Sequence, residues 1–315
     1  MSSGGAAAGS DGMQPPPVSS EAAATGDTPT AEDAPVAPIP LLAAVCHRHP
    51  PWRDEPYELL RSLGEEVWLA ERTFEGHGTD FGARCTVIRL PDGGLFVHSP
   101  VLLTEGLRAA LAALGPVRFL AVPTAHHVAF AEQWRAAYPA ATCVTFPGAR
   151  QRLAYLSDAT ELGGSAEGVA GAAEGGEPAA STEVGVNAGA AVPMGMLFPG
   201  VLSWIYLGSE RGFQEVAFFH HPSATLVITD AFFRIPPPPP GGYPLGTRLF
   251  FWYLRTLAIP LHSALAWGAK STWLAEAAAL VRWAPRRVIP CHGELVSEGA
   301  EEVLREFFHR RRGAF

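Results

Sequence analysis

The chain has 315 residues, 48% of them hydrophobic, which is enough for one large domain or two small ones around a real core. Its formal net charge is −8, and eleven of its acids lie in two stretches without a single Lys or Arg: five in residues 1–40 and six in residues 157–195. The remainder is close to neutral, at about +3, which excludes a nucleic-acid-binding surface and leaves a small-molecule ligand as the expected partner.

Both acidic stretches are rich in Gly, Ala and Pro and poor in apolar surface, too poor to offset chain entropy. They are expected to be a disordered N-terminal tail (1–40) and a disordered insert (157–195) within one domain spanning 41–315. Cys46, Cys85, Cys143 and Cys291 are far apart and form no CxxC pair. That spacing fits a reducing compartment. The first residues lack a basic segment followed by an apolar run, so a cytoplasmic protein is expected.

In chain order, "EEVWLAE" and "RCTVIRL" read as strands, and "DGG" (92–94) as the hairpin turn that leads into "LFVHS". Thr104 can cap "EGLRAALAALG", whose Leu107, Leu111 and Leu114 share one helical face, and Gly115-Pro116 stops that helix. "VRFLAV" (117–122) is a continuous apolar run of the kind buried on both faces of a sheet. A helix (about 127–137), the strand "ATCVT" and a short helix near "ARQRLAYL" follow. Beyond 195, "VLSWIYL", "QEVAFF" and "ATLVITD" resume the strand pattern. Helices are expected at about 246–266 and 271–283, then the strand "RRVIP" and a closing helix "AEEVLREFFHRRR". A meander followed by alternating strands and helices implies an α/β sandwich with sheets inside and helices outside.

The segment "LFFWYLRTLAIPLHSALAW" (249–267) approaches the length of a membrane span, for which about 20 apolar residues are needed. Arg255, Pro260 and His262 interrupt it, so it reads better as a docked helix. A peripheral membrane contact through Phe250, Phe251, Trp252 and Tyr253 is the alternative.

The polar residues fall at strand ends. Strand 117–122 runs into His126 and His127, "EVAFF" into His220 and His221, "ATLVIT" into Asp230, and "RRVIP" through Cys291 into His292. Loops at the ends of a rigid sheet are where catalytic groups tend to sit. His and Asp suit Zn, Fe or Mn. Each residue alone also fits a plainer role at a helix start or turn, and the reading rests on their recurrence in order. His98, in "LFVHSP", reads as a core histidine or a residue behind the site. "CHRHPPW" (46–52) and "EGHGTDFG" (75–82), with His77 and Asp80, are further ligand-bearing loops. "IPPPPPGGYP" (235–244) reads as an extended spacer. No GxSxG, phosphate-binding loop or dinucleotide-binding glycine pattern is present.

Four stretches, "VIRLPDGGLFVHSPV", "VPTAHHVAFAEQWRAAYP", "EVAFFHHPSATLVITDAFF" and "VIPCHGEL", carry a resemblance. Together they resemble a diverged metallo-β-lactamase-fold protein of the DUF4336 type, over about residues 60–312 without the insert. The resemblance implies an αββα sandwich and a metal site. In that superfamily an HxHxDH loop follows a strand, a later His precedes a strand ending in Asp, and a final His follows the last strand. His127 then matches the closing His of the loop, His220 or His221 the later His, Asp230 the bridging Asp, and His292 the last His. The loop here departs from the pattern: Val122 and Thr124 stand where the leading histidines are expected, and His126 replaces the acid. This implies a reduced centre of one Zn, Fe or Mn ion, or none.

The expected function is a metal-dependent hydrolase of an ester, thioester, lactone or phosphoester. Asp230 and His292 would be catalytic, and the metal ligands would be drawn from His126, His127, His220, His221, Asp230 and His292. The alternative is a catalytically inactive descendant of the fold that binds a ligand or protein.

Overall fold

The computed structural model describes residues 59–73, 75–76, 79–80, 82–163, 181–187, 190–208, 213–232, 234, 242–243, 245–253 and 272–312. The chain enters through a hairpin of β1 (Arg61–Gly64) and β2 (Val67–Arg72), and β3 (Glu75–Gly76) with β4 (Thr79–Asp80) makes a second, separate one. β5 (Ala83–Arg89) turns back on β2 and passes into β6 (Leu95–His98) through the expected tight turn. Gly93 there takes φ 82°, a value that favours glycine, and Asp92 Oδ1 accepts the Gly94 N–H at 2.9 Å.

From β6 onward the first sheet becomes parallel. Helix α1 (Glu105–Leu114) carries the chain to β7 (Val117–Val122), and α2 (Ala131–Ala137) carries it to β8 (Thr142–Thr145). Thr104 caps α1 by accepting the Leu107 N–H at 3.2 Å, and Leu107 and Leu111 are buried against the sheet. The short α3 (Ala149–Arg152) precedes β9 (Thr160–Glu161), which completes a sheet ordered β1-β2-β5-β6-β7-β8-β9.

The second sheet is a meander of β10 (Ser181–Asn187), β11 (Ala190–Phe198), β12 (Leu202–Gly208), β13 (Gln214–His220) and β14 (Thr225–Ile228). β15 (Arg287–Pro290) closes it, parallel to β14. Helices α4 (Leu245–Tyr253) and α5 (Thr272–Arg282) precede β15, and α6 (Ala300–Arg312) follows it.

The two sheets face each other through aromatic contacts: Phe96 meets Phe218 edge-on at 5.0 Å, and Phe119 meets Phe198 at 4.8 Å. The outer face of the first sheet is covered by α1 and α2, with Leu107, Leu111 and Trp134 in the same core as the inter-sheet residues. The outer face of the second packs Phe219, Leu226 and Ile228 on Leu280, Leu304 and Phe308 of α5 and α6. This is the expected αββα order. Burying each such large apolar side chain is worth about 1.5–3 kcal/mol.

Three expectations change in detail. Of the stretch 157–195, residues 157–163 lead into and complete β9, and 181–187 and 190–195 are paired strand, with Val184 opposite Pro193 and Val186 opposite Ala191. Gly and Ala dominate the composition there, yet the β-branched residues at alternating positions 182, 184 and 186 suit an antiparallel ladder. Residues 164–180 lie outside the described residues. The helix expected from 127 begins only at 131, because Thr124, His126 and His127 form turns, with the His127 N–H donating to the Thr124 carbonyl at 3.2 Å. Of the helix expected at 246–266, residues 245–253 are described and helical. The tail 1–40, "CHRHPPW" and His77 lie outside the described residues, as does most of the proline run. Among the described residues no helix is long and apolar enough to cross a membrane.

His98, at the end of β6, is fully buried between the sheets, edge-on to Phe218 at 5.6 Å, and neither ring nitrogen has a hydrogen-bond partner among the described residues. Burial, helped by the neighbouring His127, pushes its pKa down to about 3. Unfolding therefore takes up a proton at His98 between about pH 6.5 and about 3, so stability falls as pH falls through that window. The slope is about 1.4 kcal/mol per pH unit for a single group. His98→Leu is expected to raise the unfolding free energy near neutral pH and to flatten this acid decline. Urea titrations of both proteins across the window check it, and parallel pH profiles would contradict it.

Candidate metal centre

The strands that run parallel all point their C-terminal ends to one edge of the sandwich. β6 ends at His98-Ser99, β7 leads into the turn bearing His126 and His127, β14 leads to Asp230, and β15 leads to His292. Crevices at the carboxyl ends of parallel strands are the ordinary ligand sites of such sheets. Here the topology collects residues 99, 126, 127, 230 and 292 from four separate segments.

One ligand atom from each of His127, Asp230 and His292 lies within 4.8 Å of the others. His127 Nε2 is 3.3 Å from Asp230 Oδ1, and His292 Nε2 is 3.8 Å from the same oxygen. The two rings are tilted at 50° with centroids 5.1 Å apart. His126 approaches from the solvent side, with Nδ1 3.5 Å from Asp230 Oδ2 and half its side chain exposed, and it stands outside the group of three.

The far nitrogen of each converging ring is occupied. His292 Nδ1 is 2.6 Å from the Gly82 carbonyl oxygen, which can only accept, so Nδ1 carries the proton and the neutral ring aims the Nε2 lone pair inward. His127 Nδ1 is 2.7 Å from Ser99 Oγ. Ser99 holds that position from a left-handed backbone, φ 53°, just before Pro100, where a non-glycine residue is strained. Orienting a ligating imidazole through its other nitrogen is the usual support of a metal site.

Several inward atoms are thus acceptors facing acceptors. Burial favours a neutral His127, but Asp230 and Cys291 outweigh it and hold its pKa well above the ordinary histidine range. Burial would likewise raise the Asp230 pKa, but His127, His126 and His292 hold it well below the carboxylate range. His292 stays neutral, its pKa pushed to about 4 by burial and by His127. The positive charge beside Asp230 is supplied by the proton on His127. Donors bound at about 2.0–2.1 Å around a tetrahedral ion stand roughly 3.4 Å apart; the two separations from Asp230 Oδ1, 3.3 and 3.8 Å, are close to that, and all three donors lie within 4.8 Å.

Beneath the ligands lies a buried polar frame. Glu215, near the start of β13 and fully buried, accepts the backbone N–H groups of Thr229 and Ala231, the latter at 2.7 Å, on either side of Asp230. Burial and then the Asp230 charge push its pKa up to about 7. Arg84 donates from Nε and Nη2 to Glu71 at 2.9 and 2.8 Å, and also to the Pro290 and Gly293 carbonyls, the latter at 2.8 Å. It clamps the loop that presents His292. Gly293 takes φ 76°, and a Cβ there would stand 2.0 Å from the Arg234 carbonyl oxygen, so only glycine fits beside His292.

His220 and His221 do not reach the centre, contrary to the sequence expectation. β13 runs antiparallel to β14, with His220 opposite Thr225, so its C-terminal end lies at the far edge from Asp230. His220 Nδ1 is 2.7 Å from Ser223 Oγ, and burial pushes its pKa to about 4. His221 Nε2 is 2.7 Å from Ser203 Oγ. Glu215 occupies the end of β13 that does face the site. Its signal in the sequence is an acid inside a strand with two apolar faces, which must find donors. Ser99, Gly82 and Arg84 had no such signal. Val122 and Thr124 are both buried, so the first loop supplies His127 alone to the group.

Residues 64–150 match the family model described as Domain of unknown function (DUF4336). Among solved structures, VMB-1 is similar, at 13% identity and TM-score 0.50 over 81% of this chain and 96% of that one. DIM-1 metallo-β-lactamase exposed to ceftazidime matches at 15% identity and TM-score 0.47, over 80% and 96% of the two chains. A peroxy diiron species of the chemotaxis sensor ODP matches at 11% identity and TM-score 0.47, over 81% and 95%. None of the curated proteins matches the chain. At these identities the likeness is one of fold: the chain has the metallo-β-lactamase fold, in a diverged form.

Two substitutions test the centre. Asp230→Asn is expected to bring the His127 pKa back down, read from its imidazole resonances over a pH titration; an unmoved value would mean that Asp230 does not hold that proton. Arg84→Met leaves Glu71 and two loop carbonyls underpaired and is expected to cost about 3–5 kcal/mol, whereas Glu71→Leu/Arg84→Met together cost less than Arg84→Met alone. Denaturation of the three variants gives the comparison.

Proposed function

We propose that the protein is a metal-dependent hydrolase with a single divalent ion held by His127, Asp230 and His292. The observation that carries this reading is the convergence of the three donors within 4.8 Å, with the far nitrogens of both histidines occupied. Two imidazoles and a carboxylate suit zinc, and iron or manganese are the other candidates. Such an ion, when bound, polarises a carbonyl or phosphoryl oxygen and acidifies water.

The chain's own groups supply the rest. Asp230 Oδ1 faces both histidines, while Oδ2 faces His126. The hydrogen bond to Asp230 and its charge, against burial, raise the His126 pKa, so His126 keeps a proton on the solvent side of the centre. That proton is available to a leaving group. Glu215 and Arg84 keep the two loops from relaxing as charge moves between them. The substrate class is an ester, thioester, lactone or phosphoester.

A second reading is favoured by Val122 and Thr124 in the first loop: a fold that has kept ligands for one ion and binds a small molecule or a protein without turnover. The two readings separate experimentally. Protein purified without chelator is expected to hold close to one equivalent of metal by elemental analysis, and His127→Ala/His292→Ala to hold none. Hydrolysis of any of the four bond classes, lost in that variant, supports the enzyme. Stoichiometric metal with no turnover supports the binding module, and absence of metal after reconstitution contradicts both.

Metal uptake must also displace the His127 proton. Affinity is therefore expected to rise with pH, about tenfold per unit while the pH stays below the His127 pKa. Calorimetric titration with zinc in buffers of different ionisation enthalpy counts the released proton; a pH-independent affinity would contradict the assignment.

A further inference from the structure

Four large apolar side chains are exposed among the described residues: Met196 and three that lie on α4, namely Leu245 (70%), Leu249 (57%) and Trp252 (58%). Spaced i, i+4 and i+7, the three on α4 fall within about 60° on the helix surface. The exposed Arg248 lies about 40° beyond Trp252, at the border of the stripe. Contiguous apolar surface of this kind marks an interaction site, and it is absent from the rest of the described surface.

The surrounding sequence indicates what covers it. From Ala231 to Ala275 the chain contains four basic residues, Arg234, Arg248, Arg255 and Lys270, and no acid, in a protein whose net charge is −8. The same stretch includes Phe250, Phe251, Trp252, Tyr253 and Trp267. A basic, aromatic-rich segment is complementary to an anionic surface. A two-fold contact of this face with itself in a second copy would set like charges against each other. The stripe also spans on the order of a few hundred Å², below the about 800 Å² per partner of a stable protein interface. Leu and Trp on one helical face with Arg at its border is the composition of a helix lying in a membrane interface, where the guanidinium reaches lipid phosphates.

We propose that α4 docks the protein on an anionic membrane surface, with Leu245, Leu249 and Trp252 entering the headgroup–acyl boundary and Arg248 on the lipid phosphates. α4 also packs beside β4 of the small hairpin, and the chain after that hairpin reaches Gly82, the residue that orients His292. The proposal stands independently of whether the metal centre is catalytic.

The test is sedimentation of the full chain with vesicles of phosphatidylcholine alone and with phosphatidylglycerol added. The wild type is expected to pellet with the mixed vesicles, less so as salt rises, and to stay in solution with the neutral ones. Arg248→Ala is expected to weaken binding about fivefold, and Leu249→Ser/Trp252→Ser to abolish it while melting as the wild type does. Because these side chains are exposed, unchanged melting is the fold control. Absence of wild-type binding, or equal binding by Leu249→Ser/Trp252→Ser, overturns the proposal. So does a wild-type dimer, by light scattering, that the same double substitution makes monomeric without any lipid binding, since the face would then belong to a second copy.

Discussion

A carboxylate withdrawn from water must be compensated, and the compensation of Asp230 organises this protein. Two imidazole nitrogens stand 3.3 and 3.8 Å from one of its oxygens, and His126 stands 3.5 Å from the other. Asp230 is partly buried, where dielectric screening is weaker than in water, so each of these contacts outweighs its counterpart at the surface. Loss of any one would leave charge or lone pairs uncompensated, which is why so much of the surrounding fold is polar and fixed. Ser99 accepts a strained backbone to hold His127, Gly82 fixes the tautomer of His292, and Glu215 grips the backbone on both sides of Asp230.

The sandwich makes that arrangement possible by putting Asp230, His292 and His127 on different rigid elements that end at one edge. Arg84 ties the two sheets together at this point, since it sits on β5 of the first and donates to the carbonyl of Pro290, which ends β15 of the second, and to that of Gly293 just beyond it. Its charge is in turn neutralised by Glu71, which also receives Arg61 at 3.3 Å. Removing Arg84 would therefore disturb sheet packing and ligand placement together. The mostly apolar interior sets the scale of these effects, because charges in it are either paired or expensive.

Much of the fold was legible in the sequence, for identifiable reasons. The turn at Asp92-Gly93-Gly94, the Thr104 cap and the apolar run 117–122 are local signals, and each became the element that its chemistry implies. Asp230 and His292 stood out because each ends a strand abruptly. The histidine pair at 220–221 gave the same signal and led elsewhere, since the direction of β13 relative to β14 is a property of the sheet and not of the segment. Glu215, Ser99 and Arg84 act over sequence separations that only the folded chain closes. The strands at 181–198 were hidden by a Gly- and Ala-rich composition, although their partners in the ladder supply what propensity lacks.

In the proposed reading, His127, Asp230 and His292 hold one divalent cation in place of a proton. Cobalt(II) titration of the metal-free protein, followed in the visible region, tests it most directly, because the band intensities report the coordination geometry of the bound ion. The account predicts saturation at one equivalent with the spectrum of a four- or five-coordinate nitrogen–oxygen site, and no such spectrum for His292→Ala. A featureless titration, or the same spectrum from wild type and His292→Ala, would contradict it.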